Sequence, residues 1–417
     1  MTDLERSYPN DLAARVCATW PADARPLPRR LGAILDAAYH ASFLRDEERP
    51  VTLRILVIPP SELSADDGPP GSLMPLQFET PRGFDEHELR RLSPAASFHR
   101  ALIGIDESQG ELRTWGLAQS GPRWLQAARG GRAKEPPMPP SLVVRVVRPG
   151  HVVVACGSRR VAELRGGKLS DFALDVFQSQ WLSALFRSER LMAALEDAKA
   201  SPAEVSDGAA LELARHAAQQ MIKRVIATMQ AAHHGGTLVF APADCVSERH
   251  MRIKYPFRDT PSRHRFQALV QGIVATLAER ARETGRRIDP DFYKVETDPR
   301  IGELDEALFE MSHLIASLGN VDGAVVLTRR LEVLGFGAEL GGSLPPIAHV
   351  RRALDLEADA FVPEVVDVVG TRHRSAYRYC AAAAGAVAVV VSQDGGVRFV
   401  NRHRDAVTYW DHGIGDD

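Results

Sequence analysis

Asp322-Gly323-Ala324-Val325-Val326-Leu327-Thr328 is the stretch that decides the expected fold of the C-terminal half of this chain. An acidic residue and two residues with almost no side chain precede a continuous apolar run. Such a run is typical of a strand that is buried on both faces of its sheet. A helical pattern at 303–318 comes directly before it. Helix followed by buried strand, repeated along 209–417, predicts a mixed sheet surrounded by helices.

A second motif, Gly370-Thr371-Arg372-His373-Arg374, lies where a loop is expected to become a helix. Thr371 is the expected N-cap. The free N–H groups and the dipole of a helix N-terminus favour an anion, whereas two guanidinium groups and an imidazole add positive charge there. A polyanion would neutralise this cluster, so the motif predicts phosphate binding. A basic turn on the surface is the alternative.

The triplets Asp-Gly-Ala and Arg-His-Arg also occur elsewhere in the chain. The surrounding sequence distinguishes those copies from the two motifs above. Asp207-Gly208-Ala209 precedes a long helical pattern, so Asp207 is expected to cap that helix. Arg263-His264-Arg265 opens another helical pattern, and Arg402-His403-Arg404 follows the last apolar strand. These two clusters are expected to be a solvated helix face and a charged sheet edge. Asp322 differs because it lies just before a buried strand, at the end of the sheet, where its carboxylate could hold a divalent cation.

Bulk properties narrow the class of protein. The chain has 417 residues, enough for two domains, and a net charge of −3, which gives no global basic field for nucleic acid or anionic membrane. The acidic N-terminus does not resemble a signal peptide, and the longest apolar stretch, 379–392, is too short to cross a bilayer. We therefore expect a cytoplasmic protein that binds neither membrane nor nucleic acid.

The patterns divide the chain into three parts. Residues 1–170 read as an α+β domain, with strand signals at 53–58, 98–105 and 111–117. Residues 171–208 read as a helical connector, and residues 209–417 as the second domain. The fold class expected for the whole chain is α/β (α+β).

The two motifs in this order, with this strand and helix context, resemble the diadenylate cyclase domain of the DisA and CdaA type over about residues 209–405. The resemblance implies that two ATP molecules are condensed into cyclic di-AMP, or a related cyclic dinucleotide, with release of pyrophosphate. It assigns Asp322 to metal binding and to activation of the 3′-hydroxyl, with Mg²⁺ or Mn²⁺ as the cofactor. Arg372, His373 and Arg374 would hold the phosphates. Each site holds one ATP, so the resemblance also implies a face-to-face homodimer or a larger assembly.

The resemblance also assigns the surroundings of the nucleotide. The implied substrate-binding residues are Gly323, Ala324, Leu340, Gly370, Thr371 and Ser392. Leu340 would occupy an apolar pocket position, and Asp394 would complete the metal site. The family has Ser-Glu-Glu at the turn that here reads Ser392-Gln393-Asp394, and residues 341–362 look like an insertion.

Two further points follow from the resemblance. The N-terminal domain resembles the sensor domains of DACNV type that precede diverged cyclase domains, which implies an unknown ligand and regulation of the cyclase. The altered turn at Gln393 leaves an alternative open, in which the protein is a weak or inactive nucleotide-binding regulator.

Overall fold

The structure is a computed structural model. It describes residues 7–64, 68–69, 71–108, 110–122, 129–132, 138–170, 174–184, 207–232, 234–242, 245–246, 250–340, 344, 346–366, 369–393 and 395–413. The described residues fall into two compact units. The first unit holds residues up to 122 together with 138–170, and the second holds residues 129–132 together with those from 174 onward.

The first unit is a mixed sheet with helices. Its helices are α1 (Pro9–Thr19), α2 (Leu31–Ala41) and α3 (Glu86–Leu92). Its strands are β1 (Arg45–Asp46), β2 (Arg49–Pro50), β3 (Leu53–Val57), β4 (Met74–Gly83), β5 (Ala101–Ser108), β6 (Glu111–Gln119), β7 (Leu142–Arg148), β8 (His151–Cys156), β9 (Arg159–Arg165) and β10 (Lys168–Ser170). Among described residues, eight strands form one sheet in the order β10-β9-β8-β7-β3-β5-β6-β4.

Successive side chains of β3 pack on opposite faces of this sheet. Leu53 and Ile55 pack with α2 in the main core of the unit, while Arg54 and Leu56 lie on the opposite face. Arg54 stands directly opposite Arg145 of β7, and both side chains are buried. Burial, and next the neighbouring Arg145 charge, hold the pKa of Arg54 well below its usual value.

The second unit is built on a larger sheet. Its helices are α4 (Asp207–Ala231), α5 (Arg265–Thr284), α6 (Pro290–Val295), α7 (Pro299–Leu318) and α8 (Thr371–Ala382). Its strands are β11 (Gly236–Ala241), β12 (Met251–Pro256), β13 (Ala324–Thr328), β14 (Val333–Leu340), β15 (His349–Ala353), β16 (Phe361–Val365), β17 (Val387–Val391), β18 (Val397–His403) and β19 (Ala406–His412). In the described part of the chain these nine strands pair in the order β12-β14-β13-β11-β17-β18-β19-β15-β16.

Helices cover both faces of this sheet. The odd-numbered valines of β17 (Val387, Val389, Val391) pack in the core that contains α4, α5 and α7. The even-numbered residues Ala388 and Val390 pack in the core that contains α8. Because successive side chains of a strand point to opposite faces, one five-residue run contributes to both cores. The predicted fold class, mixed sheets flanked by helices, is confirmed.

One predicted detail of the second unit is wrong. Thr371 is the first helical residue of α8, and Gly370 is the N-cap. Strand β14 begins at Val333 and continues to Leu340, the predicted apolar pocket position. Strand β15 lies inside the predicted insertion 341–362, so that segment includes a strand of the sheet.

A short segment, residues 129–132, packs in the second unit although the chain on either side of it belongs to the first. The Gly130 carbonyl accepts from Nε of Arg224 at 2.8 Å. Arg132 donates from one terminal nitrogen to the carbonyls of Tyr293 at 3.0 Å and Glu296 at 2.5 Å. A Cβ at Gly130, whose φ is +86°, would lie 2.3 Å from the Gln220 carbonyl oxygen, so the close approach requires glycine.

The described part of the predicted connector also packs in the second unit. Val176–Gln178 form one 3₁₀ turn, and residues 180–184 are helical. The Trp181 ring stacks on the ring of Trp410, with centroids 4.3 Å apart, in the main core of the unit. Residues 185–206 lie outside the described residues. No helix of the described residues has the length and apolarity needed to cross a membrane.

Candidate functional site

Both sequence motifs lie at one edge of the nine-stranded sheet, where edge means a row of strand ends and not an outer strand. The strand register brings them together there. Strand β11 runs parallel to β13, with Thr237 beside Ala324. It runs antiparallel to β17, with Gly236 beside Val391. Continued by one or two residues, the register places Gly235 between Asp322 on one side and Ser392 on the other. The residue before β11, the acidic residue before β13 and the serine after β17 therefore meet at the same edge.

Arg372 reaches this edge from the first turn of α8. Its terminal nitrogen donates to the His234 carbonyl at 3.2 Å. A Cβ at Gly235 would lie 2.7 Å from that same terminal nitrogen of Arg372, and 2.9 Å from the Val391 carbonyl oxygen. The guanidinium group therefore lies across the start of β11, one strand away from Asp322.

The backbone next to Asp322 has no room for larger side chains. Gly323 has a φ of +114°, and a Cβ there would lie 2.5 Å from the carbonyl carbon of Gly337 on β14. Ala324 is 1% exposed and pairs with Ala338. The Asp322 side chain itself is exposed. The small residues thus let β14 pass close to β13, and they leave the carboxylate at the surface of the edge.

The rest of the Arg-His-Arg motif lies along the first turn of α8. Arg374 donates from a terminal nitrogen to the hydroxyl of Thr371 at 3.4 Å. The His373 ring lies near that of Tyr377, with centroids 6.3 Å apart. Gly370 and Thr371 are exposed, and the three motif side chains are half-buried. The first N–H groups of a helix lack intrahelical acceptors, so this turn combines free donors with cationic side chains, as an anion site requires.

The hairpin after β17 closes the edge. The Ser392 N–H donates to the Gly396 carbonyl at 2.8 Å, and the Gly395 carbonyl accepts from Nε2 of Gln230 at 2.7 Å. Ser392 is half-buried and Gln393 is exposed. Asp394, the second predicted metal ligand, lies outside the described residues.

Leu340 lies at the end of β14, opposite Met251 of β12. It is half-buried and packs against the core on the α8 face of the sheet. Strand order places it two strands from Gly235, at the same edge as Asp322. The structure therefore brings Asp322, Arg372, Ser392 and Leu340 to one edge.

The described side chains at this edge supply only part of the ligands that a hard cation such as Mg²⁺ needs. Within the described ranges, no three His, Cys, Asp or Glu side chains are grouped as metal ligands would be. Mg²⁺ in nucleotide sites is commonly held by one or two carboxylates together with substrate phosphates, and Asp322 is an exposed carboxylate of that kind.

The other two Arg-His-Arg clusters lie elsewhere in the unit. Nε2 of His264 lies 2.6 Å from Asp259, and this contact raises the pKa of His264. Arg404 pairs with Asp359 at 2.7 Å in the turn after β18. Both clusters have acidic neighbours within the protein.

Sequence reasoning gave no site role to Gly235, which the structure places against Arg372. A signal was available. Gly235-Gly236 and Gly323 each precede an apolar strand that follows a helix, and such strands are commonly parallel neighbours. Their first residues then lie side by side.

Comparison with known families matches only the N-terminal part of the chain. The family model described as "Probable sensor domain DACNV" matches residues 20–119, which include α2 to β6 of the first unit. The predicted sensor domain is confirmed over these residues. No curated protein and no solved structure matches the chain.

Proposed function

We propose that the second unit is a diadenylate cyclase-like nucleotidyltransferase that condenses two ATP molecules into cyclic di-AMP and releases two pyrophosphates. The supporting observation is the register that gathers Asp322, Gly235 and Ser392 at one sheet edge, with Arg372 reaching the same edge. The match of residues 20–119 to a sensor domain of DACNV type adds support, because sensor domains of this type precede diverged cyclase domains.

Each proposed role follows from what the side chain offers. Arg372, His373 and Arg374 would bind the triphosphate together with the first N–H groups of α8, since planar guanidinium groups grip phosphate oxygens in pairs. The Ser392 hydroxyl would bind a phosphate oxygen, and Leu340 would contact the base. Gly323 would let the nucleotide lie against the backbone of β13. The cationic first turn would stabilise the charge that develops at the α-phosphate.

Mg²⁺ or Mn²⁺, held by Asp322 and by phosphate oxygens, would supply Lewis-acid stabilisation of the transferring phosphoryl group. Asp322 would in addition help to deprotonate the 3′-hydroxyl. A second ATP must present its α-phosphate to that hydroxyl, so the proposed reaction requires two copies of the unit face to face. The concentration of protein should therefore affect specific activity.

The test is incubation of the purified full chain with ATP and Mg²⁺ or Mn²⁺, followed by mass analysis of products. Cyclic di-AMP is the expected product. Asp322→Asn should reduce its formation at least about 100-fold, the scale of losing one transition-state contact. Melting temperature should change little, because the side chain is exposed and keeps its size. Asp291→Asn, whose carboxylate is 90% exposed on α6, is the matched control and should retain activity.

A regulator that binds nucleotide without turning it over is the second candidate. Gln393 favours it, because this exposed amide stands at a turn where the resembled family has a carboxylate. ATP binding that requires Arg372, in a preparation that forms no dinucleotide with either cation, would select this candidate. Full activity of Asp322→Asn would refute the metal role proposed for Asp322.

A further inference from the structure

A cavity of about 490 Å³ lies in the second unit, at the strand ends opposite to those that form the candidate site. The turn between β18 and β19, the hairpin β15–β16 and the C-terminal end of α8 surround it. Its lining includes Arg351, Arg402 and Asp405, together with Phe361, Pro363 and Ala381. Its volume lies within the range of small-molecule sites. Helix α8 begins at the candidate site and ends here, so about 14 Å of helix separates Arg372 from Ala381.

The lining has an excess of positive charge. It carries two guanidinium groups, those of Arg351 and Arg402, against one carboxylate, Asp405. Arg402 contacts Asp405 only at 3.4 Å, and the Asp405 side chain is 96% exposed, so the pair is weak. Arg402 also donates to the Ala381 carbonyl at 3.5 Å, which keeps its guanidinium group beside the cavity wall.

Acidic groups near the cavity are engaged elsewhere. Asp359 pairs with Arg404 at 2.7 Å, and Glu364 accepts from the Tyr409 hydroxyl at 2.6 Å. These contacts leave the positive charge of the lining without strong compensation from those two carboxylates.

The lining also offers an apolar surface next to the charge. The Arg351 guanidinium lies 4.4 Å from the centre of the Phe361 ring, which fixes a cation beside an aromatic face. Phe361 is 41% exposed although it is large and apolar. Pro363, directly opposite Arg351 on the edge strand β16, extends the apolar wall.

From these features we propose that the cavity binds a small organic anion, with a carboxylate or phosphate bound by Arg351 and Arg402 and an apolar body against Phe361 and Pro363. The proposal gives a role to Arg402 of the Arg402-His403-Arg404 cluster, which the proposed cyclase reaction does not use. It does not depend on that reaction, since the site lies at the other edge of the sheet.

The test measures binding of naphthyl phosphate to the full chain by calorimetry, without ATP or metal. Arg351→Gln and Arg402→Gln should each weaken binding about tenfold or more, the effect of losing a charge-assisted contact. Arg404→Gln is the matched control from the same turn, because Arg404 does not line the cavity. Arg372→Gln is the control for binding at the candidate site. Both controls should leave the affinity unchanged.

Three further probes separate the parts of the ligand. Naphthoate in place of the phosphate shows which oxyanion is preferred, and binding of either supports the proposal. Naphthol, which lacks the anion, and inorganic phosphate, which lacks the apolar body, should bind at least tenfold more weakly. The proposal is overturned by equal affinity for naphthol, by equal weakening in the Arg404 or Arg372 variant, or by no binding of either anion at millimolar concentration.

Discussion

Arg372 donates to the His234 carbonyl and lies against Gly235, next to the start of β11, and these contacts distinguish it from the cationic residues of the other clusters. Arg372→Ala should weaken ATP binding by about 1.5–3 kcal/mol, the scale of a charge-assisted phosphate contact. Arg265→Ala, at an exposed position of the second Arg-His-Arg cluster, should change it little. Titration of both variants with ATP and Mg²⁺ gives the comparison. Equal losses would mean that the phosphate site had been assigned to the wrong cluster.

Gly323 supports the site through backbone geometry. Its φ of +114° and the 2.5 Å approach to Gly337 leave no space for a Cβ, so Gly323→Ala should lower the free energy of unfolding by about 1–3 kcal/mol. Gly302→Ala, in α7, meets nothing within 4 Å and should instead raise it by about 0.5–1 kcal/mol. Urea denaturation of both variants measures the difference. A neutral result for Gly323→Ala would show that β14 can move away from β13 at no cost.

Residue types alone suggested roles for Asp322 and Arg372 but could not show that both residues lie beside the same strand. The missing information is the pairing of β11 with both β13 and β17, which joins residues about 90 and 150 positions apart. The mistake at Thr371 has a local cause. Glycine is also accepted at the N-cap, and the extended φ and ψ of Gly370 place the cap one residue earlier.

Among secondary-structure elements, α4 and α7 are joined by a buried ion pair. Arg224 of α4 donates to Asp305 of α7 at 2.7 Å, and the Arg224 side chain is 5% exposed. The Tyr293 hydroxyl donates to the same carboxylate at 3.0 Å. Asp305→Asn removes the countercharge of a buried guanidinium group, so the free energy of unfolding should fall by about 3 kcal/mol. Chemical denaturation followed by circular dichroism measures this.

The matched control is the ion pair of Arg300 with Glu279, at 2.6 Å, in which both side chains are about half exposed. Glu279→Gln should cost less than about 1 kcal/mol. If both substitutions cost the same small amount, the pair of Arg224 with Asp305 is not what holds the two helices together.

The sequence pattern predicted central strands better than edge strands. Central strand β13 was predicted from the continuous apolar run after Asp322 and Gly323, and it spans Ala324–Thr328. Strand β16 contains Pro363, which interrupts the pattern, and its place at the end of the sheet explains why proline is accepted. Strand β12 was missed although Met251, Ile253 and Tyr255 alternate with polar residues, a signal that was present.

At the scale of the whole molecule, a fragment of residues 205–417 should be less stable than the second unit is in the full chain. Val176, Phe177 and Trp181 belong to the main core of that unit, and the fragment lacks them. Loss of Trp181 alone should cost about 3–5 kcal/mol, or roughly 10 °C in melting temperature. A fragment of residues 171–417 retains all three and is the control. Calorimetry of both, with product analysis, tests the assignment, and equal melting temperatures would contradict it.

Even the longer fragment lacks residues 129–132, which complete the surface formed by Gln220, Arg224 and Tyr293. The chain thus enters the second unit once between β6 and β7 and again after β10. A single genetic crossover between the two units would separate these four residues from their partners. Recombination could replace the sensor without damage only if the new β6–β7 loop carried a glycine and an arginine at matching positions. The two halves of this protein are therefore expected to have been inherited together.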